Sequence, residues 1–260
     1  MTPSTKRAAL AVAGIAGRIA AAVPAGLRRK LLFALLVLES RTGTPDAALR
    51  RLFAIADDLD LIIDERATAL GGGAHPKHRL TRYHDYFIDH IGDGDRVLDI
   101  GCGLGFVARA IARARPHASV LGVDIDAASI ADAQRGENPS NLEFRHADAT
   151  QRLPEGAFDV VVLSNVLEHL DARPDFIRRV VAATQAHVVL IRVPLFERDW
   201  RLPMRRELGI NYFSDPTHRI EHTLQEFAQE IAEGGLVPVE QRLMWGEIWA
   251  LCRPHAPAAD

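Results

Sequence analysis

The sequence predicts an α/β fold of the Rossmann-like, doubly wound kind, a mostly parallel seven-stranded sheet with helices on both faces, preceded by a helical extension. Three observations carry that prediction. An apolar run ends in an acid and three alternating glycines across residues 97–105, four more apolar runs recur between helical stretches, and two strand-like runs close the chain. Continuous Val, Ile and Leu strands alternating with helices are the pattern of parallel strands covered on both sides, with ligands taken at their carboxyl ends.

The order of elements begins with residues 1–74, read as the N-terminal helical extension, and continues with residues 75–260 as the main domain. Residues 1–38 hold Lys6, Arg7, Arg18, Arg28, Arg29 and Lys30 with no acid before Glu39, around apolar runs at 8–15 and 31–38. Neither run reaches the ~20 apolar residues that cross a bilayer. The segment reads as basic amphipathic helices in peripheral membrane contact, or as helices packed within the chain or an oligomer. Arg18 interrupts the apolar stretch that a signal peptide would need. From Pro45 to about Leu70, the positions Leu49, Leu52, Phe53, Ala56 and Leu59 fall at helical spacing, and Gly71 to Gly73 end the helix.

In the main domain, Val97, Leu98 and Ile100 make the first strand, with Asp99 inside it. Gly101, Gly103 and Gly105 remove the Cβ atoms that would hold a ligand off the backbone. A helix over 106–115 follows, stopped by Pro116. The second strand, 119–124, ends in Asp124 about 20 residues past the glycines, where an acid holds a ribose hydroxyl. A third, 142–146, delivers Asp148 into a loop; a fourth, 158–163, ends at Ser164 and Asn165; a fifth covers 187–193.

About 30 residues then separate the fifth strand from the next helix, and a connection so long usually serves a function. It carries Trp200, Arg201, Arg205, Arg206, Tyr212, Asp215, His218 and His222, a set suited to polar or anionic substrates. Thr223-Leu224-Gln225-Glu226 has the form of a capping box that starts a helix. The final runs, 237–244 and 247–252, form an antiparallel hairpin.

Composition excludes some classes of function. With 260 residues, 48% hydrophobic and 25% charged, the chain buries a substantial core. A net charge of -3 gives no general attraction to nucleic acid, so no nucleic-acid partner is expected. Cys102 sits in the glycine loop and Cys252 is the only other cysteine, which points to a reducing, cytoplasmic setting. His218 to His222 match the H-x-x-E-H zinc-peptidase pattern, but that pattern needs a helix, and the capping signal at Thr223 leaves both histidines in a loop. No metal site is expected.

Gly103 to Ala108 satisfy a dinucleotide fingerprint, so an NAD-dependent oxidoreductase is one reading. The wider run Val-Leu-Asp-Ile-Gly-Cys-Gly-Leu-Gly instead resembles the first motif of class I S-adenosylmethionine-dependent methyltransferases, the small-molecule and glycan branch. The resemblance continues through Asp124, Asp148-Ala149 and the stretch 158–170. It implies that S-adenosyl-L-methionine is the cofactor, that Asp99 orients its amino group, and that Gly101, Gly103 and Gly105 admit its backbone. Asp124 would hold ribose, Ile125 would lie beside adenine, and Asp148 and Ala149 would meet the adenine amine. Ser164 and Asn165 would border the methionine end, with Tyr83 and His84 in the covering wall. The implied acceptor is a small molecule or glycan, methylated at oxygen. His218 is the leading general base, with His169 and His222 behind it, since an imidazole titrates near neutrality. A non-catalytic protein that binds the cofactor is the third reading.

Overall fold

The computed structural model describes Gly17 and residues 22–255. The apolar run at 8–15 and the basic residues Lys6, Arg7 and Arg18 lie outside the described residues. Contacts divide the chain after Ala67 into two compact units.

The first unit holds helix α1 (Ala25–Ser40) and most of helix α2 (Pro45–Leu70). Prolines mark both starts, at Pro24 just before α1 and at Pro45 as the first residue of α2. A missing N–H costs nothing at these positions. Arg51 of α2 pairs with Glu39 of α1 and donates to its carbonyl at 3.2 Å, closing the turn between the helices. Among the described residues no helix is long and apolar enough to cross a membrane.

The second unit opens with α3 (Lys77–Thr81) and α4 (Tyr83–Asp89), separated by Arg82 in a left-handed conformation at φ 51°. Next come β1 (Arg96–Ile100), α5 (Phe106–Ala114), β2 (Ser119–Asp124), α6 (Ala127–Arg135), β3 (Leu142–His146) and β4 (Val160–Ser164). A 3₁₀ turn at Leu167–His169 leads to α7 (Arg173–Thr184) and β5 (Val188–Pro194). A second 3₁₀ turn (Phe196–Arg198), α8 (Arg201–Glu207), α9 (Leu224–Glu233), β6 (Leu236–Met244) and β7 (Glu247–Pro254) complete it.

The seven strands form one sheet in the order β3-β2-β1-β4-β5-β7-β6, parallel except where β7 pairs antiparallel with β5 and β6. Strand order therefore reverses between β1 and β4, which places a ligand crevice at their carboxyl ends. All seven residues of β5 are buried, as a strand covered on both faces requires. One face of the sheet packs Tyr86 and Phe87 of α4, Val107 and Ile111 of α5 and Ile130 of α6. The other packs Phe176, Ile177 and Val180 of α7 with Phe227 and Ile231 of α9.

The expected capping box is present at the start of α9. Thr223 Oγ1 accepts from Glu226 N at 3.1 Å, and Glu226 Oε2 accepts from Thr223 N at 2.9 Å. Thr223→Ala is expected to lower stability by about 1 kcal/mol, read as a shifted midpoint in urea unfolding with unchanged slope. The sequence predicts no helix in the connection after β5, whereas α8 and the 3₁₀ turn occupy part of it. Seven residues with a polar face are too few to show a helical period, and Asp199 starts α8 locally by accepting from Arg201 N at 3.0 Å.

Candidate active site

The glycine loop is built on the ends of β1 and β2. Gly101 and Cys102 donate their backbone N–H groups to Val123 O at 2.8 and 3.0 Å, and Gly103 N donates to Asp124 Oδ2 at 2.7 Å. Asp124 thus braces the loop, and its Oδ1 accepts from Asp126 N at 2.8 Å. Gly105 takes φ 75° at the start of α5, where a Cβ would lie 2.2 Å from Phe144 Cζ. A Cβ on Gly101 would lie 2.7 Å from Val166 Cγ2. Side chains are excluded at both positions by these neighbours, whereas a Cβ on Gly103 would meet nothing within 4 Å.

Asp99 is 1% exposed, and its Oδ2 has no hydrogen-bond partner. Burial raises its carboxyl to about 7, with the nearby Asp124 charge adding to the rise. A buried acceptor left unmatched costs free energy unless a donor arrives, and a cofactor ammonium is such a donor. Beyond β2, Ile125 presents an exposed apolar side chain next to Asp124, suited to an adenine face. Asp148 accepts from Thr150 N at 2.9 Å and Thr150 Oγ1 at 2.6 Å, bonds that hold it below the usual carboxylate range. It borders a hollow of about 460 Å³ that also touches Ala147, Gln151 and Leu153. Ala149 is buried beneath this loop.

After β4 the chain turns at Asn165, held at φ 58°. Its N–H donates to Arg192 O at 2.8 Å, and its Oδ1 accepts from Arg192 Nε at 2.7 Å. The Arg192 guanidinium lies 3.7 Å from the centre of the Tyr83 ring, and Tyr83 Oη meets His78 Nδ1 at 2.6 Å. Burial lowers His84 to about 4, so its imidazole is neutral at physiological pH.

On the far side of Asn165, the 3₁₀ turn and the loop before α9 come together. His218 is buried, and its Nδ1 lies 2.9 Å from Glu221 Oε1. Burial opposes ionisation of Glu221, but bonds from His218, Ser214 and Arg198 prevail and hold it at about 2. An ionised carboxylate only accepts, so Nδ1 carries the hydrogen and Nε2 is the basic nitrogen. Burial lowers His218, yet the Glu221 bond and the Glu168 and Glu221 charges outweigh it, and its pKa lies above the ordinary histidine value.

Glu168 is fully buried with neither carboxylate oxygen hydrogen-bonded, and burial pushes it up to about 7. His169 stands edge-on to His218 with ring centres 4.7 Å apart, and its Nδ1 meets Thr217 Oγ1 at 2.8 Å. Glu168, His169 and His218 each offer a donor atom within 4.8 Å of the others. His222 lies elsewhere. It is fully buried against Phe227, with Nε2 3.0 Å from Glu230 Oε2, and Arg173 pairs with the same carboxylate.

A methyltransferase-domain family model matches residues 98–188, from β1 into β5. The match covers the glycine loop, Asp99, Asp124, Asp148 and the turn after β4 on the sheet order just described. Residues 98–188 thus match a methyltransferase domain, and the chain is similar to the class I S-adenosylmethionine-dependent methyltransferases. It is 30% identical over 156 residues to the ubiquinone biosynthesis O-methyltransferase of Rhodopseudomonas palustris (strain BisB5), covering 57% of this chain and 60% of that protein. It is 39% identical over 111 residues to the ribosomal protein L11 methyltransferase of Ralstonia pickettii (strain 12J), covering 40% of this chain and 35% of that protein. The crystal structure of magnesium protoporphyrin IX methyltransferase (ChlM) from Synechocystis PCC 6803 with bound SAH superposes with a TM-score of 0.54 at 17% identity, over 67% of this chain and 83% of that one. The chain spans 60% or less of the length of these two curated relatives, which by their names act on different kinds of acceptor.

Sequence reasoning missed two groups at this site. Glu221 reads in sequence as the middle of a metal motif, and its role as the carboxylate behind His218 emerges only from the loop's path. Glu168, in the stretch Asn-Val-Leu-Glu-His-Leu, reads in sequence as a positioning or helix-start residue, and its full burial emerges only from the fold, where Arg219 N donates to Glu168 O at 2.7 Å.

Proposed function

We propose that this enzyme methylates an oxygen of a small-molecule or glycan acceptor, with His218 as the general base. The observation that carries the reading is the buried Glu221–His218 pair, which fixes the imidazole tautomer so that Nε2 is the proton acceptor. Bound S-adenosylmethionine supplies an electrophilic methyl group on a sulfonium. Asp99 takes the donor's ammonium, Gly101, Gly103 and Gly105 admit its backbone, and Asp124 holds the ribose. Ile125, Asp148 and Ala149 receive the adenine, while Ser164 and Asn165 line the methionine end. The acceptor hydroxyl would give its proton to His218 Nε2, and the bound cofactor would supply the methyl group that the oxygen takes. Alignment for in-line displacement does most of the work, and proton removal matters because a neutral hydroxyl is a weak nucleophile.

His169 neighbours the base and is held by Thr217, which suits it to orient the acceptor. His222, bonded to Glu230, serves α9 instead. The domain boundary near residue 74 and a cytoplasmic setting belong to the same reading. The test is a screen of phenolic, alcohol, carboxylate and glycan acceptors scored by S-adenosylhomocysteine release in the presence of a chelator. Turnover with a hydroxyl acceptor is expected and should survive the chelator. Release only with amines, or only with added divalent metal, would overturn the proposed chemistry.

A further inference from the structure

Helix α1 has no buried residue. Its residues 31–38 read Leu-Leu-Phe-Ala-Leu-Leu-Val-Leu, more than two turns without a polar side chain. Leu32, Phe33, Leu35 and Leu38 are each at least 62% exposed. A helix that is apolar all round belongs inside a core or in lipid, and single exposed leucines elsewhere on a surface carry no such meaning.

Charge identifies what covers it. Arg28, Arg29 and Lys30 form the turn just before the apolar run, and the only acid of α1, Glu39, is paired with Arg51. Across residues 1–38 there are six basic residues and no acid, so for the whole chain to be -3 the remainder carries -9. This end of the chain is strongly cationic, while the remainder is acidic on balance. Helix α2 presents Leu59, Ile62 and Ile63, but Asp57, Asp58, Asp60 and Asp64 lie among them. Residues 25–38 of α1 carry three basic residues and no acid, so an anionic surface would attract α1.

We propose that α1 docks on an anionic lipid surface, with the side chains of residues 31–38 at the headgroup and acyl boundary and Arg28, Arg29 and Lys30 on lipid phosphates. Sixteen residues make a helix about 24 Å long, short of the ~30 Å hydrocarbon core, so α1 lies in the interface and does not span it. A second copy of the chain is the weaker occupant. One partner helix covers one face, leaves the opposite leucines in water and brings two cationic segments together.

The experiment is flotation of the full chain with phosphatidylcholine vesicles and with vesicles containing roughly a third phosphatidylglycerol. The chain is expected to float with the anionic vesicles, at least tenfold less with the neutral ones, and less again in about 0.5 M salt. Leu32→Glu with Phe33→Glu and Leu35→Glu should abolish flotation, and Arg29→Glu with Lys30→Glu should reduce it about tenfold. Binding of S-adenosylhomocysteine, measured by calorimetry, should be unchanged in both variants because those residues lie in the first unit. Failure to float with anionic vesicles would overturn the proposal. So would a lipid-independent dimer in sedimentation velocity that the triple substitution dissolves, since a second copy would then occupy the helix.

Discussion

His218→Ala is expected to lower turnover by roughly 10²–10⁴-fold on the hydroxyl acceptor that the screen identifies, while cofactor affinity stays near wild type. The geometry separates the two functions. His218 lies on the loop before α9, and none of its hydrogen bonds reaches the glycine loop or Asp124. The base must be unprotonated to act, and Glu221 together with Glu168 raises the pKa of His218. The rise of turnover with pH should therefore be centred above the ordinary histidine value of about 6.5. Glu221→Gln removes the carboxylate behind Nδ1, so it should move that midpoint down as well as slow the reaction. Cofactor titration and a pH–rate profile of each variant check both statements. Near-normal turnover in His218→Ala would remove it from the mechanism.

The second large effect is expected at Asp124. A charge-assisted hydrogen bond to ribose contributes about 1.5–3 kcal/mol, so Asp124→Ala should weaken cofactor binding on the order of 10- to 150-fold. The carboxylate also accepts from Gly103 N at 2.7 Å and Asp126 N at 2.8 Å, so its loss frees the glycine loop before any ligand arrives. Asp124→Asn keeps one acceptor oxygen and should fall between wild type and Asp124→Ala. Calorimetry with S-adenosylhomocysteine measures both. Equal affinity in all three proteins would show that the ribose is held elsewhere.

The strands and loop around the glycines were legible in the sequence because their determinants are local. Asp99, Gly101, Gly103, Gly105 and Asp124 lie within or just after two adjacent strands, and burial periodicity fixed those strands. Helix ends marked by side chains were equally legible, as at Thr223, where cap and partner are three residues apart. The cluster around His218 was not, because its contacts join distant segments. Glu168 and His218 lie on separate loops, and Arg192 reaches back to Asn165 across two strands. His218, Glu221 and His222 match a motif that needs a helix, and the chain there is a loop. Its bridge at Leu195 and His222 sends His222 into the core with Glu230. Histidine spacing has a fixed geometric meaning on a helix and none in such a loop.

The most direct measurement of the central claim is calorimetric titration of the purified full chain with S-adenosylhomocysteine and, separately, with NAD. Asp99 Oδ2 lacks a partner and is buried beside the open glycine loop, so the aminoacyl end of the first ligand should complete the site. Saturable one-to-one binding of S-adenosylhomocysteine, weakened by Asp124→Ala, is expected, with no binding of NAD at the same concentrations. Preferential binding of NAD, or no binding of either ligand, would contradict it.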